Sequence, residues 1–162
     1  MKRLLAFGTG MVLVVLLTVH ASAPAASHPG TLRDKLQEAV NRGDLAGAMA
    51  LWADDAAIDN PGACPDAPCV GKAAIQKDME RRISSKNRPK TLKHYVSGDI
   101  LTTRVELRSG LTEKAGVDRI ILWLIYEAKG DKIALERGPL YERTDPQTAK
   151  YVAWLKTQPP TR

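Results

Sequence analysis

Histidine, cysteine and aromatic residues are scarce in this chain of 162 residues, which contains 3 His, 2 Cys and a single Phe. Only one histidine, His94, lies beyond residue 28. A histidine-rich metal site is therefore excluded, and nothing in the sequence favours a Ser-His-Asp triad. We expect neither a metal nor a cofactor. Internal repeats and low-complexity blocks are also absent from the sequence, which predicts one ordinary folded domain.

The excess of positive charge is small, with 24 Lys and Arg against 18 Asp and Glu. The densest basic run extends from Arg81 to Lys93 and contains no aromatic residue that could stack on a base. Nucleic acid is therefore not an expected partner. Weak attraction to anionic lipid or to a cell-envelope polymer is the alternative for this run.

The first residues have the three parts of a secretory signal peptide: basic Lys2-Arg3, an apolar run from Leu4 to Val19, and the small-x-small triplet Ala21-Ser22-Ala23. We expect a signal peptide over 1–23 and a flexible leader over 24–30. An uncleaved anchor is the alternative, but the run is short for a bilayer span. The sequence thus predicts an exported protein, periplasmic or secreted, without stable membrane insertion after cleavage.

The two cysteines, Cys64 and Cys69, flank a short segment that contains Pro65 and Pro68. In an exported protein, such a pair predicts a disulfide, and the prolines can curl the segment enough to bring the two Cα atoms together. A third cysteine or a histidine nearby, which a metal site would need, is lacking in the sequence.

The period of the apolar residues changes once along the chain. Helical spacing predicts three helices, over 32–41, 45–52 and about 71–83, with Thr31 and Asp44 as N-caps of the first two. A short extended piece is expected over 56–58, between the second and third helices. Alternation then predicts strands over 92–97, 100–109, 117–128 and 132–143, and Asp145-Pro146 predicts a last helix to about 156. The fold class is α+β: three N-terminal helices packed on a curved antiparallel sheet, plus a C-terminal helix. Such a cone encloses space for a small ligand.

Four short motifs carry a resemblance to a known family. They are Arg42-Gly43-Asp44-Leu45, Trp52-Ala53-Asp54-Asp55-Ala56, Asn60-Pro61 and Gly71-Lys72-Ala73-Ala74-Ile75. Their order and spacing resemble the nuclear-transport-factor-2-like superfamily, closest to its SnoaL-like and ketosteroid-isomerase-like members. The resemblance implies a cone domain over 31–143, followed by a C-terminal helix and tail over 144–162. It also implies a homodimer, because many members pair through the sheet.

The residues that perform ketosteroid isomerisation in that superfamily have no equivalents here. By position, Asn60 replaces the basic carboxylate, and Leu36 and Leu122 replace the two groups that hold the oxyanion. An amide has no basic form that could remove a proton from carbon at neutral pH. Steroid isomerisation is therefore not expected.

Two carboxylates, Asp59 and Glu136, are the candidate acid–base residues, and Asp118 is a further candidate by residue type alone. Asp59 has the alternative of pointing into water, and the face occupied by Glu136 depends on a strand register that the sequence does not fix. The candidate ligand-binding residues are Asn60, His94, Tyr95, Arg119 and Trp123. Two more polar residues that could line the cone are Arg104 and Tyr126.

These observations predict an exported domain that binds a small, partly apolar molecule in a cone-shaped pocket. One alternative is a cyclase, hydratase or isomerase that uses a pocket carboxylate. The other is a non-catalytic domain for dimerisation or protein interaction.

Overall fold

The computed structural model describes residues 28–61, 64 and 68–159. The expected signal peptide and most of the expected leader lie outside these residues. The described helices are α1 (Pro29–Arg42), α2 (Leu45–Ala50), α3 (Lys72–Ser84), α4 (Gly110–Lys114) and α5 (Pro146–Leu155). None of these helices has the length and apolar composition of a membrane span.

One mixed sheet contains the six described strands. They are β1 (Trp52–Asp59), β2 (Cys69–Val70), β3 (Arg88–Ser97), β4 (Ile100–Arg108), β5 (Ile120–Lys129) and β6 (Lys132–Tyr141). Their order is β2-β1-β6-β5-β4-β3, and every neighbouring pair is antiparallel except β1 and β6. The α+β class and the cone-shaped arrangement are confirmed.

Local sequence chemistry sets the ends of the first two helices. The His28 side chain caps α1 by accepting from the Gly30 N–H, so the helix begins before the predicted cap at Thr31. Gly43 ends α1 with a φ of +73°, a conformation that glycine adopts without strain. The Asp44 side chain then caps α2, as predicted, by accepting from the Gly47 N–H at 2.8 Å.

The structure corrects the prediction at the end of α2. The helix was predicted to include Trp52, but it ends at Ala50, and Trp52 begins strand β1. Trp52 is fully buried, and it pairs with Ile133 in the parallel ladder between β1 and β6. Pairing with a distant strand therefore overrides the local helical pattern. The short helix α4, which was also missed, is nucleated by the capping box of Ser109 and Thr112.

The two middle strands are irregular where they face the interior. The register of β5 and β6 shifts between Trp123 and Ile125, opposite Gly138 and Pro139. Gly138 has a φ of +123°, and a Cβ atom there would lie 2.9 Å from the Trp123 carbonyl oxygen. This bulge bends β6 and turns Pro139 towards the space between the sheet and the helices.

The predicted disulfide joins Cys64 and Cys69, whose Cα atoms lie 5.6 Å apart. Cys64 is buried with the core residues, and Cys69 begins β2. The bond therefore holds Cys64 close to the sheet edge formed by β2.

Candidate functional site

A cavity of about 460 Å³ lies between the inner face of the sheet and helices α1, α3 and α5. Most of its wall is apolar, and the apolar and aromatic lining residues include Leu36, Val40, Val105, Leu107, Leu111, Ile120, Leu122, Leu124, Pro139, Tyr141, Tyr151, Trp154 and Leu155. Leu111 and Gln158 line it and are exposed, which places the opening beside α4 and the end of α5. A volume of this size suits one small organic molecule.

Helix α1 contributes a single stripe to the cavity wall. Arg33, Leu36, Gln37 and Val40 all line it, at positions i, i+3, i+4 and i+7 of the helix. The stripe combines one charged group with two aliphatic side chains. Arg33 therefore enters the cavity because of its helical position, with Leu36 and Val40 beside it.

The polar end of the cavity is built around Arg82 of α3. Its Nη1 and Nη2 atoms donate to the two carboxylate oxygens of Glu136 at 3.0 and 2.6 Å. Its Nε lies 2.6 Å from Oδ2 of Asp78, which is also buried. Burial alone would lower the pKa of Arg82, but the negative charges of Asp78 and Glu136 outweigh burial and raise this pKa well above its ordinary value. Arg82 is thus a permanent cation that ties α3 to β6.

Tyr126 of β5 completes this buried network. Burial raises the pKa of its hydroxyl, and the negative charge of Glu136 raises it further, against the opposing effect of Arg33 and Arg82. Tyr126 therefore stays neutral and can donate a hydrogen bond at physiological pH. Its ring packs under Arg33, whose Cζ lies 5.6 Å from the ring centroid.

Three of the polar residues singled out from the sequence line the cavity, Asn60, Tyr126 and Glu136. Glu136 is fully buried on β6. Asp59, which precedes Asn60, is exposed and is not part of the lining. The alternation along β1 accounts for this difference, since Ile58 is buried and Asp59 faces away from the core.

Three other predicted binding residues lie away from the cavity. His94 is 3.5 Å from Asp34 in an ion-pair geometry between β3 and α1. Tyr95 and Trp123 stack on each other, with ring centroids 6.0 Å apart. Trp123 alternates with the cavity-lining Leu122 and Leu124, so this aromatic pair lies on the outer face of the sheet.

The remaining charged candidates are also engaged outside the cavity. Arg119 donates to Asp145 at 3.0 Å, and the Nε and Nη2 atoms of Arg104 donate to the two carboxylate oxygens of Glu142. Asp118 is exposed at the start of the segment that precedes β5.

Sequence reasoning missed Arg33, Asp78 and Arg82. A helical stripe that pairs Arg33 with Leu36 and Val40 was visible in the sequence, but charged residues beside apolar ones on a helix are usually exposed. Only the packing of α1 and α3 against the sheet shows that these charges are buried.

The chemistry available to Glu136 is limited by its partners. Because Arg82 donates to both of its oxygens, the carboxylate is held in one orientation at the polar end of the cavity. Within the described ranges 28–61, 64 and 68–159, no group of three or more His, Cys, Asp or Glu side chains could hold a metal ion. The arrangement suits enclosure of an apolar molecule with polar contacts at one end.

A curved sheet wrapped by helices around a mainly apolar cavity defines the nuclear-transport-factor-2-like class of α+β cones. The chain belongs to the SnoaL-like domain family, whose model matches residues 34–136. No curated protein matches the sequence.

Solved structures show the same fold at low sequence identity. An NTF2-like protein of unknown function from Cytophaga hutchinsonii is 12% identical, with a TM-score of 0.58 over 75% of this chain and 96% of its own. RV0760c from Mycobacterium tuberculosis, in complex with estradiol-17beta-hemisuccinate, is 20% identical, with a TM-score of 0.60 over 72% and 96%. SalBIII, an epoxide hydrolase/cyclase-like enzyme in pyran ring formation in the polyether salinomycin, is 13% identical, with a TM-score of 0.59 over 72% and 92%.

Proposed function

We propose that this protein binds a small, partly apolar molecule inside the cavity. The observation that carries the proposal is a cavity of about 460 Å³ with an apolar wall and a fixed cluster of polar groups at one end. Burial of an apolar ligand against such a wall is favourable, while a few polar groups set its orientation. The steroid derivative bound by RV0760c, a protein of the same fold, supports this class of ligand.

A neutral apolar dye, N-phenyl-1-naphthylamine, tests the proposal by its gain in fluorescence on burial. We expect saturable binding of one dye per chain. Leu122→Trp should abolish binding by filling the cavity, whereas Leu140→Trp, on the exposed outer face, should leave it unchanged. Absence of saturable binding to the wild-type protein would contradict the proposal. Native mass spectrometry of protein purified from its host then identifies the retained molecule.

An enzyme of the cyclase type is the second candidate, because Glu136 lies in the cavity and SalBIII shares the fold. The test is to incubate the retained molecule and its precursors with wild-type protein, Glu136→Gln and Asp59→Asn. Conversion that Glu136→Gln abolishes while circular dichroism shows the variant still folded, and that the exposed Asp59→Asn preserves, would favour catalysis. Unchanged recovery of every compound would favour binding alone.

A homodimer formed through the outer face of the sheet is the third proposal. The stacked Tyr95 and Trp123 lie on this face beside Leu140, which is 61% exposed. An exposed apolar patch of this kind favours protein contact. Sedimentation velocity should show a dimer that Leu140→Arg dissociates and that Val70→Arg, an equally exposed position on the edge strand, leaves intact. A wild-type monomer at micromolar concentration would contradict it.

Export is proposed on the signal-peptide pattern, and the disulfide is compatible with it. Intact-mass analysis of protein from the host should give a chain that begins after Ala23. Recovery of the full-length chain in the cytoplasmic fraction would contradict export.

A further inference from the structure

Arg33 is a buried cation without a counterion in the described part of the chain. It is 2% exposed, and its Nε atom has no hydrogen-bond partner. Among the described residues, no carboxylate lies within ion-pair distance of its guanidinium group. Burial of an unpaired charge costs free energy, which the contact with the Tyr126 ring offsets only in part. A feature that opposes folding in this way calls for a functional explanation.

The carboxylates close to the cavity are already engaged. Glu136, the one acidic residue of the described lining, has both oxygens bound by Arg82. Asp78 is shared by Arg81 and Arg82 behind the wall. Arg33 could therefore pair with Glu136 only by disrupting the ion pair between Arg82 and Glu136, which ties α3 to β6.

The surroundings of Arg33 restrict the anion that could bind there. Leu36 and Val40 follow it on the same stripe of α1, and Leu122 and Leu124 also line the cavity from β5. A small inorganic anion would leave these walls without apolar contact. A wholly apolar ligand would leave Arg33 unpaired. A molecule with an apolar body and one anionic group satisfies both.

A carboxylate suits a single guanidinium group best. The fork of two parallel N–H donors matches the two oxygens of a carboxylate, and one positive charge balances one negative charge. A phosphate monoester would bring nearly two negative charges to the single positive charge of the Arg33 guanidinium group.

We propose that the cavity ligand is an amphiphilic carboxylic acid and that Arg33 binds its carboxylate. This inference rests on the proposed binding function and names its ligand class. The apolar body then lies along the aliphatic wall, and the carboxylate lies beside the ring of Tyr126.

Matched ligand pairs test the inference by displacement of N-phenyl-1-naphthylamine. The pairs are dodecanoate with dodecanol and 1-pyrenebutyrate with 1-pyrenebutanol. Within each pair the apolar body is the same, so the difference in affinity measures the carboxylate. A charge-assisted hydrogen bond predicts that each acid binds about 10- to 100-fold more tightly than its alcohol.

Two arginines of α1 provide the matched variants. Arg33→Gln should remove the preference for each acid over its alcohol, and the dissociation constant of the neutral dye, determined for every variant, normalises the displacement. Arg42→Gln, an exposed position that pairs with Glu38, should preserve the preference. Arg33→Lys should retain part of the acid preference, because lysine keeps the positive charge but lacks the two parallel N–H donors of the guanidinium group.

A purely structural role of Arg33 predicts that its removal lowers the melting temperature of the ligand-free protein. If Arg33 serves only to bind a ligand, Arg33→Met should leave the melting temperature of the ligand-free protein unchanged or raise it, because an unpaired buried charge is removed. A lower melting temperature of Arg33→Met, together with an acid preference that Arg33→Gln retains, would overturn the inference. Equal affinity for acids and alcohols would also overturn it, with the proposed binding function left standing. Failure of the dye and of every ligand to bind would overturn both.

Discussion

The guanidinium group of Arg82 holds both carboxylate oxygens of Glu136, at 3.0 and 2.6 Å, across 54 positions of sequence. The pair connects the middle of the sheet to α3 at the polar end of the cavity. Asp78 supports it by contacting the remaining Nε atom of Arg82. Asp78 and Glu136 are buried and the side chain of Arg82 is only 15% exposed, so little water is available to replace a partner that is removed.

Removal of one member of this pair should therefore destabilise the protein strongly. We expect Glu136→Gln to lower the free energy of unfolding by about 3 to 5 kcal/mol, because it leaves Arg82 with too little negative charge around it. Urea denaturation measures the change. The surface pair of Glu38 and Arg42 is the control, and Glu38→Gln should cost less than about 1 kcal/mol. Similar losses in the two variants would contradict the buried role of the pair.

Alkaline pH should destabilise the protein through three tyrosines. Burial raises the pKa of Tyr126, Tyr141 and Tyr151 above the ordinary value of 10.0. Between the unfolded and the folded pKa, the unfolded chain has lost the proton and the folded chain keeps it, so a rise in pH favours unfolding. Their contribution is fully present below pH 10 and declines above it, by up to about 1.4 kcal/mol per pH unit for each tyrosine.

Urea denaturation between about pH 9 and about pH 11 measures this slope. Tyr126→Phe should make the slope shallower by up to about 1.4 kcal/mol per pH unit, whatever its effect on stability at neutral pH. A slope that does not change in this variant would rule out Tyr126 as a source of the alkaline loss.

The bulge between β5 and β6 should depend on glycine at position 138. Gly138→Ala introduces a Cβ atom 2.9 Å from the Trp123 carbonyl oxygen, at a φ of +123°. We expect a loss of about 1 to 3 kcal/mol in the free energy of unfolding, measured by urea denaturation. Gly98→Ala isolates the effect of positive φ, because a Cβ atom there meets nothing within 4 Å, and it should cost less. Equal losses would show that the close approach is relieved without cost.

The disulfide should contribute modestly to stability and little to binding. Closure of a loop with a sequence separation of 5 predicts about 2 kcal/mol. The double variant Cys64→Ala/Cys69→Ala should therefore have a slightly lower melting temperature, and a reductant should lower the melting temperature of the wild type alone. Binding of N-phenyl-1-naphthylamine should persist, because neither cysteine lines the cavity. A large loss of dye binding would show that the loop forms part of the pocket.

Elements stabilised by local chemistry were predictable from the sequence. Asp145-Pro146 marks the start of α5, and apolar residues such as Ile75 and Met79 mark the buried face of α3. Strand β1 was only partly predicted, because its parallel partner β6 lies near the other end of the chain and no local pattern reports that pairing.

The candidate site was less predictable for the same reason. The sequence supplied Glu136 as a candidate, but the bulge near Gly138 and the shifted register of β5 and β6 bear on which face it occupies. Arg33 and Arg82 resemble ordinary solvated helix residues until both helices are packed on the sheet. Tyr95 and Trp123 are residue types that often line ligand sites, but the alternation of side chains along the strands places them on the outer face of the sheet, away from the cavity.

The parallel pairing of β1 with β6 also constrains the order in which the molecule can assemble. Trp52 is buried early in the chain, yet its ladder partner Ile133 belongs to the last strand. Glu136, on that same strand, supplies the counter-charge that Arg82 needs. Domains with many contacts so distant in sequence fold slowly. The cavity therefore cannot exist in a partly folded chain that lacks β6, and acquisition of ligand binding marks the completion of folding.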